Sequence, residues 1–323
     1  MRPGTIALEL ALAAFALAVL VALPHVLPSK AFMDFAIRVA AFAVFATSLN
    51  LLVGYAGMVS FGHGMFFGLG AYAFGLLMQK TGLPIPVAVV LTVIIAALAA
   101  ALVGAICVRL QEIYFAFLTL AFQMLLYSVI VSWVPLTGGD QGLLGGIPRP
   151  HFFGIDLGNQ VHLYTTACVV MVLCLLAMRQ IAQSSFGYTL RLVRDNPGRA
   201  AFLGINVPRA RLAAFVMAAA FASIGGIIMS LFVSGAYPEF GYWTTSGEAI
   251  FMIMLGDMNA FLGPTVGAVL LLLLNDVVTK SAEYYGLTLG IVILLFALGL
   301  RKGLLDFVLD AIGKPKGRAH APR

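Results

Sequence analysis

Residues 49–77 read LNLLVGYAGMVSFGHGMFFGLGAYAFGLL, and the 22 positions from Gly54 to Gly75 hold seven glycines among residues that are nearly all apolar. Glycine costs roughly 1 kcal/mol relative to alanine inside a helix, so a plain lipid-facing span has little use for it. From Gly64 onward the small residues Gly64, Gly68, Ala71 and Gly75 recur at helical spacing, which makes one narrow stripe for a close-packed neighbour. Upstream, Gly54, Gly57, Gly62 and Gly64 are too crowded for an ordinary helix, and they interleave with Asn50, Ser60 and His63. Irregular backbone at membrane depth survives only where protein buries it or water lines it. The stretch therefore predicts a broken helix beside a cavity, with Asn50, Ser60 and His63 on a substrate path.

The rest of the chain supports a membrane setting. Of 323 residues, 62% are hydrophobic and 10% charged, with a mean hydropathy of +1.03; soluble domains carry about 25% charged residues. Hydropathy predicts an all-α polytopic protein with about ten crossings, near 5–27, 33–53, 64–80, 86–108, 113–134, 161–181, 212–235, 244–257, 262–280 and 285–301. The first run is longer than a signal-peptide core and shows no small-x-small cleavage site, so it reads as a retained helix. With an inside N-terminus, 14 of the 19 Lys and Arg fall on the cytoplasmic side. This orientation puts both termini in the cytoplasm. It also makes the net charge of +6 a matter of topology, with no call for nucleic acid.

A second break, LGDMNAFLGPTVGA at 255–268, lies in the other half of the chain and points to a weak internal repeat. It places an acid, Asp257, at a helix interruption, where it is a further candidate for substrate contact. Arg38 and Asp34 stand one helical turn apart and are expected to pair with each other. No second ligand stands at helical spacing from His63, which speaks against a metal. Cys107, Cys168 and Cys174 all fall within predicted spans without metal-ligand spacing.

Three segments lie outside the spans: a loop at 182–211, a loop at 135–160 and a basic tail at 302–323. Six arginines stand between 179 and 211 against one acid, Asp195. Within this stretch Asn196 is a good helix N-cap, Pro197 suits the first helical position and Gly204 suits the residue past the end. These signals predict a short helix over Pro197–Leu203. So few residues are unstable alone in water, so Ala200, Ala201, Phe202 and Leu203 need a surface: lipid, the rest of the chain, or a partner's groove. The 135–160 loop, rich in Gly and Pro, is long enough to imply a task such as docking a soluble partner. No GxxxxGK[ST], GxSxG or HExxH occurs, so an enzyme acting alone is poorly supported.

Five blocks in order carry a family likeness: LNLLVGYAGMVSFGHGMFFGLGAYAFGLL (49–77), YFAFLTLAFQ (114–123), TGGDQGLLGGIP (137–148), SSFGYTLRLVRDNPGRAAFLGINV (184–207) and FLGPTVGAVLLLLLND (261–276). From Phe32 to Leu305 the chain resembles the LivM-type permease subunits of branched-chain (hydrophobic) amino acid importers of the ATP-binding cassette class. The resemblance implies a bacterial inner-membrane subunit with a type II importer-like fold. It would pair as a heterodimer with a second, paralogous permease, two cytoplasmic ATPase subunits and a periplasmic solute-binding protein. ATP and Mg would be held by the ATPases, leaving this chain without a cofactor. The segment Arg194, Asp195, Asn196, Pro197, Ala200, Ala201, Phe202, Leu203 and Gly204 would form the coupling helix. Thr137, Gly138, Gly139 and Gly142 would face the binding protein.

Three departures bear on substrate identity. Met58 stands where the family favours glutamine. The residues Gly256, Asp257, Met258 and Asn259 replace a glycine-rich turn, and the usual proline is missing from LGLRKGLL. These departures weaken the carry-over of substrate identity, and the resemblance makes urea, short amides or aromatic acids, which relatives of the family carry, the alternative solutes. An ion-coupled secondary transporter is the competing class, with Glu248 and Asp276 as its only candidate acids.

Overall fold

The computed structural model describes residues 3–281 apart from 27–28, 111, 144–145, 148–150 and 153–154, together with residue 290. Among them the regular structure is helical except for one two-residue antiparallel ladder, β1 (His151–Phe152) with β2 (Ile155–Asp156). The long helices are α1 (Pro3–Val26), α2 (Lys30–Asn50), α3 (Gly64–Thr81), α4 (Ile85–Cys107), α5 (Glu112–Ser132), α7 (Gln160–Gln183), α10 (Val207–Val233), α11 (Trp243–Gly256) and α12 (Gly263–Ser281). Short helices α6 (Val134–Thr137), α8 (Ser185–Asp195) and α9 (Pro197–Phe202) lie in the connections. Each of the first nine spans expected from hydropathy coincides with a long helix. The tenth, 285–301, and the tail 302–323 lie, but for residue 290, outside the described residues.

Five of these segments are long and apolar enough to cross a membrane: 30–55, 85–107, 113–132, 160–183 and 207–233. They differ in what surrounds them. In the most apolar stretch of α2 83% of residues are buried, against 22% in α4. α2 is covered by α7, α10 and α12, while α10 also packs on α3 and α4. Since lipid tails are as apolar as leucine, such packing depends on small residues that let backbones approach. Ala40, Ala41, Ala43 and Ala46 supply them on α2, and Ala214, Ala218, Ala219 and Ala222 on α10. A Cβ at Gly70 would collide with the backbone of Ser223, and one at Gly226 with the backbone of Phe67.

Polar contacts at the helix ends sort into two sets. Arg194, Arg191 and Arg179 meet Gly54, Tyr55 and Phe261 at one end. At the other, Gln160 donates to Lys30 O and Asp34, Gln79 donates to Gly146 O, and Leu143 N and Ile147 N donate to Ala236 O and Ser234 O. Each contact joins connections of the same parity, as a chain that reverses at every turn requires.

One expected pairing is wrong. Arg38 does not pair with Asp34; it makes a bidentate pair with Asp276 of α12, at 2.7 and 3.0 Å. Asp34 instead accepts from Gln160. A pair four residues apart on a helix contributes only about 0.2–0.5 kcal/mol. A guanidinium fork on both oxygens of one carboxylate is stronger and better aligned, and the packing of α2 on α12 makes it available.

Candidate functional site

The helix of residues 30–50 does not stop cleanly at Asn50. It widens into a π-turn, Leu51–Tyr55, and then unravels. Leu52 O accepts from both Ala56 N and Met58 N, which closes the turn, and Gly57 at φ +68° takes a left-handed conformation that other residues adopt at a cost. The chain then runs without regular structure to Gly64. π-bulges of this kind are frequent at functional sites.

The polar residues of this break are buried. Asn50 donates through Nδ2 to Met258 O at 3.2 Å, and so joins the first break to the second. Gly54 lies at this junction, where a Cβ would sit 2.6 Å from Asn50 Oδ1 and 2.8 Å from Met258 O. His63 stacks on Phe45, with ring centroids 5.4 Å apart, and its Nε2 lies 2.9 Å from Ser48 Oγ. Ser48 already donates to Phe45 O at 2.7 Å, so His63 is the donor through Nε2 and its Nδ1 is a bare acceptor. Among the described residues His63 Nδ1, Ser60 Oγ and Asn50 Oδ1 are all buried without a hydrogen-bond partner. Buried polar atoms of that kind cost about 1–3 kcal/mol each, and three of them lie in and beside this one break.

The far side of the break is held by residues that sequence reasoning missed. Gly64 N donates to Ser246 Oγ at 2.7 Å, Ser246 Oγ donates to Gln123 Oε1 at 2.8 Å, and Gln123 Nε2 donates to Tyr242 O at 2.8 Å. This network answers a backbone donor that the start of α3 leaves open. The available signal was Gln123 itself: an amide in the middle of an apolar span must find partners.

In the second break Asp257 ends α11 at φ +92°, an unusual conformation for a residue with a side chain. Its Oδ1 accepts from Asn259 N at 2.9 Å and Asn259 Nδ2 at 3.2 Å, so the carboxylate is turned into its own loop. Asp257 and Asn50 are brought to one place through the Met258 carbonyl. His63 is directed elsewhere, into the aromatic cluster of Phe45 and Phe66.

The small-residue stripe of α3 packs on connections as well as helices. A Cβ at Gly68 would lie 2.6 Å from Gly241 Cα, and one at Gly75 would lie 2.5 Å from a Leu143 methyl. Ala71 is buried in a small cluster with Tyr72, Ile130, Leu143 and Ala236. α10 meets α3 closely at Gly70 against Ser223 and at Gly226 against Phe67, and Gly70 lies off that stripe.

In the arginine-rich loop the structure contains two helices where one was expected. α8 is capped by Ser184, whose Oγ accepts from Gly187 N, and buries Leu190 and Val193 on one side. α9 begins at Pro197 under the Asn196 cap, with Arg199 N 2.9 Å from Asn196 Oδ1, and ends at Phe202, one residue before the expected end. Leu203 is its C-cap and Gly204 follows at φ +83°, a glycine conformation that closes the helix. Ala200 is buried and Ala201 exposed, whereas Phe202 is 94% and Leu203 71% exposed. Arg194, just before the Asn196 cap, donates to the carbonyl of Gly54 and pairs through Nε with Asp195 at 3.1 Å. Arg191 lies 5.0 Å from the centroid of the Tyr55 ring.

At the opposite end Thr137 Oγ1 donates to Ile130 O and Trp133 O, and Gly138, Gly139 and Gly142 all take positive φ. A Cβ at Gly142 would collide with Ala236 O. These four residues therefore shape a tight loop far from the α8–α9 hairpin.

Comparison with known proteins matches residues 31–298 to the family described as branched-chain amino acid transport system / permease component. The high-affinity branched-chain amino acid transport system permease protein LivM of Salmonella typhimurium is 26% identical over 314 residues, covering 90% of this chain and 74% of the relative. LivM of Escherichia coli K12 gives the same identity and coverage. No solved structure matches significantly. With the match extending from α2 through both breaks and the α8–α9 hairpin, this chain belongs to the family of branched-chain amino acid transport permeases.

Proposed function

We propose that this chain forms half of the transmembrane passage of an ATP-driven importer for branched-chain or other hydrophobic amino acids. In this reading it is a bacterial inner-membrane subunit with about ten spans of the type II importer arrangement and both termini in the cytoplasm. It pairs with a paralogous permease. Two ATPase subunits binding ATP and Mg engage the arginine-rich face, and a solute-binding protein docks at Thr137, Gly138, Gly139 and Gly142. Asn50, Ser60, His63 and Asp257 belong to the region that the solute passes.

The observation that carries this reading is the link from Arg194 to Gly54. A hairpin with two exposed apolar side chains, Phe202 and Leu203, is tied by one guanidinium to the backbone of a broken helix. Movement of α9 in a partner's groove would pull on the first break and, through Asn50 and Met258, on the second. A ligand-driven change of this kind needs an element that differs between two states, and two interrupted helices sharing one hydrogen bond provide it. The competing acid Asp276 is held by Arg38, which argues against its use as an ion-coupling site.

The test is uptake of labelled leucine into proteoliposomes containing this chain, its paralogous permease, the ATPases and the binding protein. Uptake that requires ATP supports the proposal. Uptake by this chain alone, driven by an ion gradient without ATPases, would overturn it.

A further inference from the structure

One face of α11 is left open. Ser246, Ala249, Met252 and Ile253 are buried, and α11 packs on α2, α3 and α12. On the other side Gly247, Phe251 and Met254 recur at helical spacing, and Met258 follows in the second break. Phe251, Met254 and Met258 are exposed, and nothing lies within 4 Å of a Cβ at Gly247. Glu248 stands at the edge of this strip, half-buried, between the exposed Thr244 and Phe251 along the helix. Among the described residues no hydrogen bond or ion pair reaches its carboxylate. Asp257, the other acid of the segment, is turned into its own loop.

The position of this acid connects it to both breaks. Ser246, two residues before it, answers Gly64 N at the start of α3, and the strip below it ends at Met258, whose carbonyl takes Asn50. A carboxylate finds no answer in hydrocarbon, and acids within membrane segments face a bundle interior or a water-filled cavity. The strip sets one negative group beside Phe251, Met254 and Met258, and flexible thioethers adapt to varied apolar shapes. A solute with a cationic head and an apolar tail matches that pattern. An aromatic acid would bring a like charge to Glu248, and urea or a short amide would leave the carboxylate without a counter-charge. Building on the importer role, we propose that Glu248 receives the α-ammonium group of a hydrophobic amino acid in the passage, with the solute's side chain against Phe251, Met254 and Met258. Glu248 then selects amino acids over the alternative solutes.

The experiment uses the complete complex in proteoliposomes, with wild type, Glu248→Gln and Glu248→Asp. Leucine uptake in Glu248→Gln should fall at least about tenfold, the scale of losing a charge-assisted contact, with ATP hydrolysis and membrane expression retained. Glu248→Asp should keep more of the uptake. Wild-type uptake in Glu248→Gln would overturn this inference alone, whereas a wild type without ATP-dependent uptake would overturn the importer reading and this inference with it. If a variant does not fold, the wild-type permease–ATPase complex, without the binding protein, is photolabelled by leucine carrying a side-chain diazirine. Label within residues 243–258 is expected, displaced by leucine and by 3-methylbutylamine but not by 4-methylpentanoate. The amine keeps the ammonium group and lacks the carboxylate, and the acid does the reverse. Displacement by the acid as effective as by the amine, or no label within 243–258, would overturn the proposal.

Discussion

Arg194 of α8 donates through Nη1 to the carbonyl oxygen of Gly54, the fourth residue of the π-turn that ends α2. The bond spans 140 positions of sequence and joins the exposed hairpin to the break. A Cβ at Gly57 would sit 2.6 Å from Arg194 Cγ, so both the donor and the shape of the turn are specific to this contact.

Arg194→Ala should lower ATP-dependent uptake at least about tenfold, the scale of losing a charge-assisted hydrogen bond, while membrane expression stays normal. ATP hydrolysis by the assembled complex should continue, now poorly coupled to transport. Uptake at wild-type rates in this variant would remove the link from the mechanism.

Leu203→Asp, or Phe202→Asp, should abolish coupled uptake and co-purification with the ATPase subunits without harming insertion. Both side chains are largely exposed, so no packing within the chain is lost. Pull-down with the ATPases measures this directly.

Arg38 and Asp276 make a part-buried bidentate pair with side chains 27% and 34% exposed. Removing one partner, as in Arg38→Met or Asp276→Leu, should destabilise by about 1–2 kcal/mol, a value reduced from that of fully buried pairs because water reaches the site. The double variant should recover part of that loss, because no lone charge then remains. Thermal denaturation of the detergent-solubilised chain over the four combinations checks the coupling.

Gln123→Leu should cost about 2 kcal/mol, because it strips the acceptor from Ser246 and the donor from Tyr242 O in a buried network. Gln123→Glu keeps the acceptor but turns a carboxylate on the Gly241 and Tyr242 carbonyls in a fully buried site, so it should be at least as damaging at neutral pH. A midpoint of thermal unfolding for Glu no higher than for Leu is the expected order.

Gly226→Leu should prevent stable folding, since even a Cβ there meets the backbone of Phe67 and has no flexible side chain to displace. Overpacking of this kind costs about 1–3 kcal/mol or more. Gly247→Ala is the control, because nothing lies within 4 Å of its Cβ position. A similar folded yield for the two variants would contradict this account of α3–α10 packing.

Local chemistry was readable from the chain alone. Asn196, Pro197 and Gly204 announce α9 because capping involves groups only a few residues apart, and the result differs by one residue at the C-terminal end. The nine long helices among the described residues were legible because hydropathy and length are properties of each segment separately, and five of them are long and apolar enough to cross a membrane. α8 was passed over because its six-arginine surroundings hid an amphipathic pattern that buries only Leu190 and Val193 deeply, with Gly187. The pairing of Arg38 was misread for a related reason: Asp34 is near in sequence, whereas Asp276 is 238 positions away.

Composition, span pattern and glycine crowding by themselves made this an all-helical membrane chain with two interruptions and a capped peg, since each property depends on neighbours along the chain. Only the tertiary structure decided which polar groups answer one another. Asn50 finds Met258, Gln123 finds Ser246 and Arg194 finds Gly54 because packed helices bring distant carbonyls and hydroxyls within 3 Å or so of donors that cannot be left bare. No periodicity encodes those partners; they are set by which helices lie side by side.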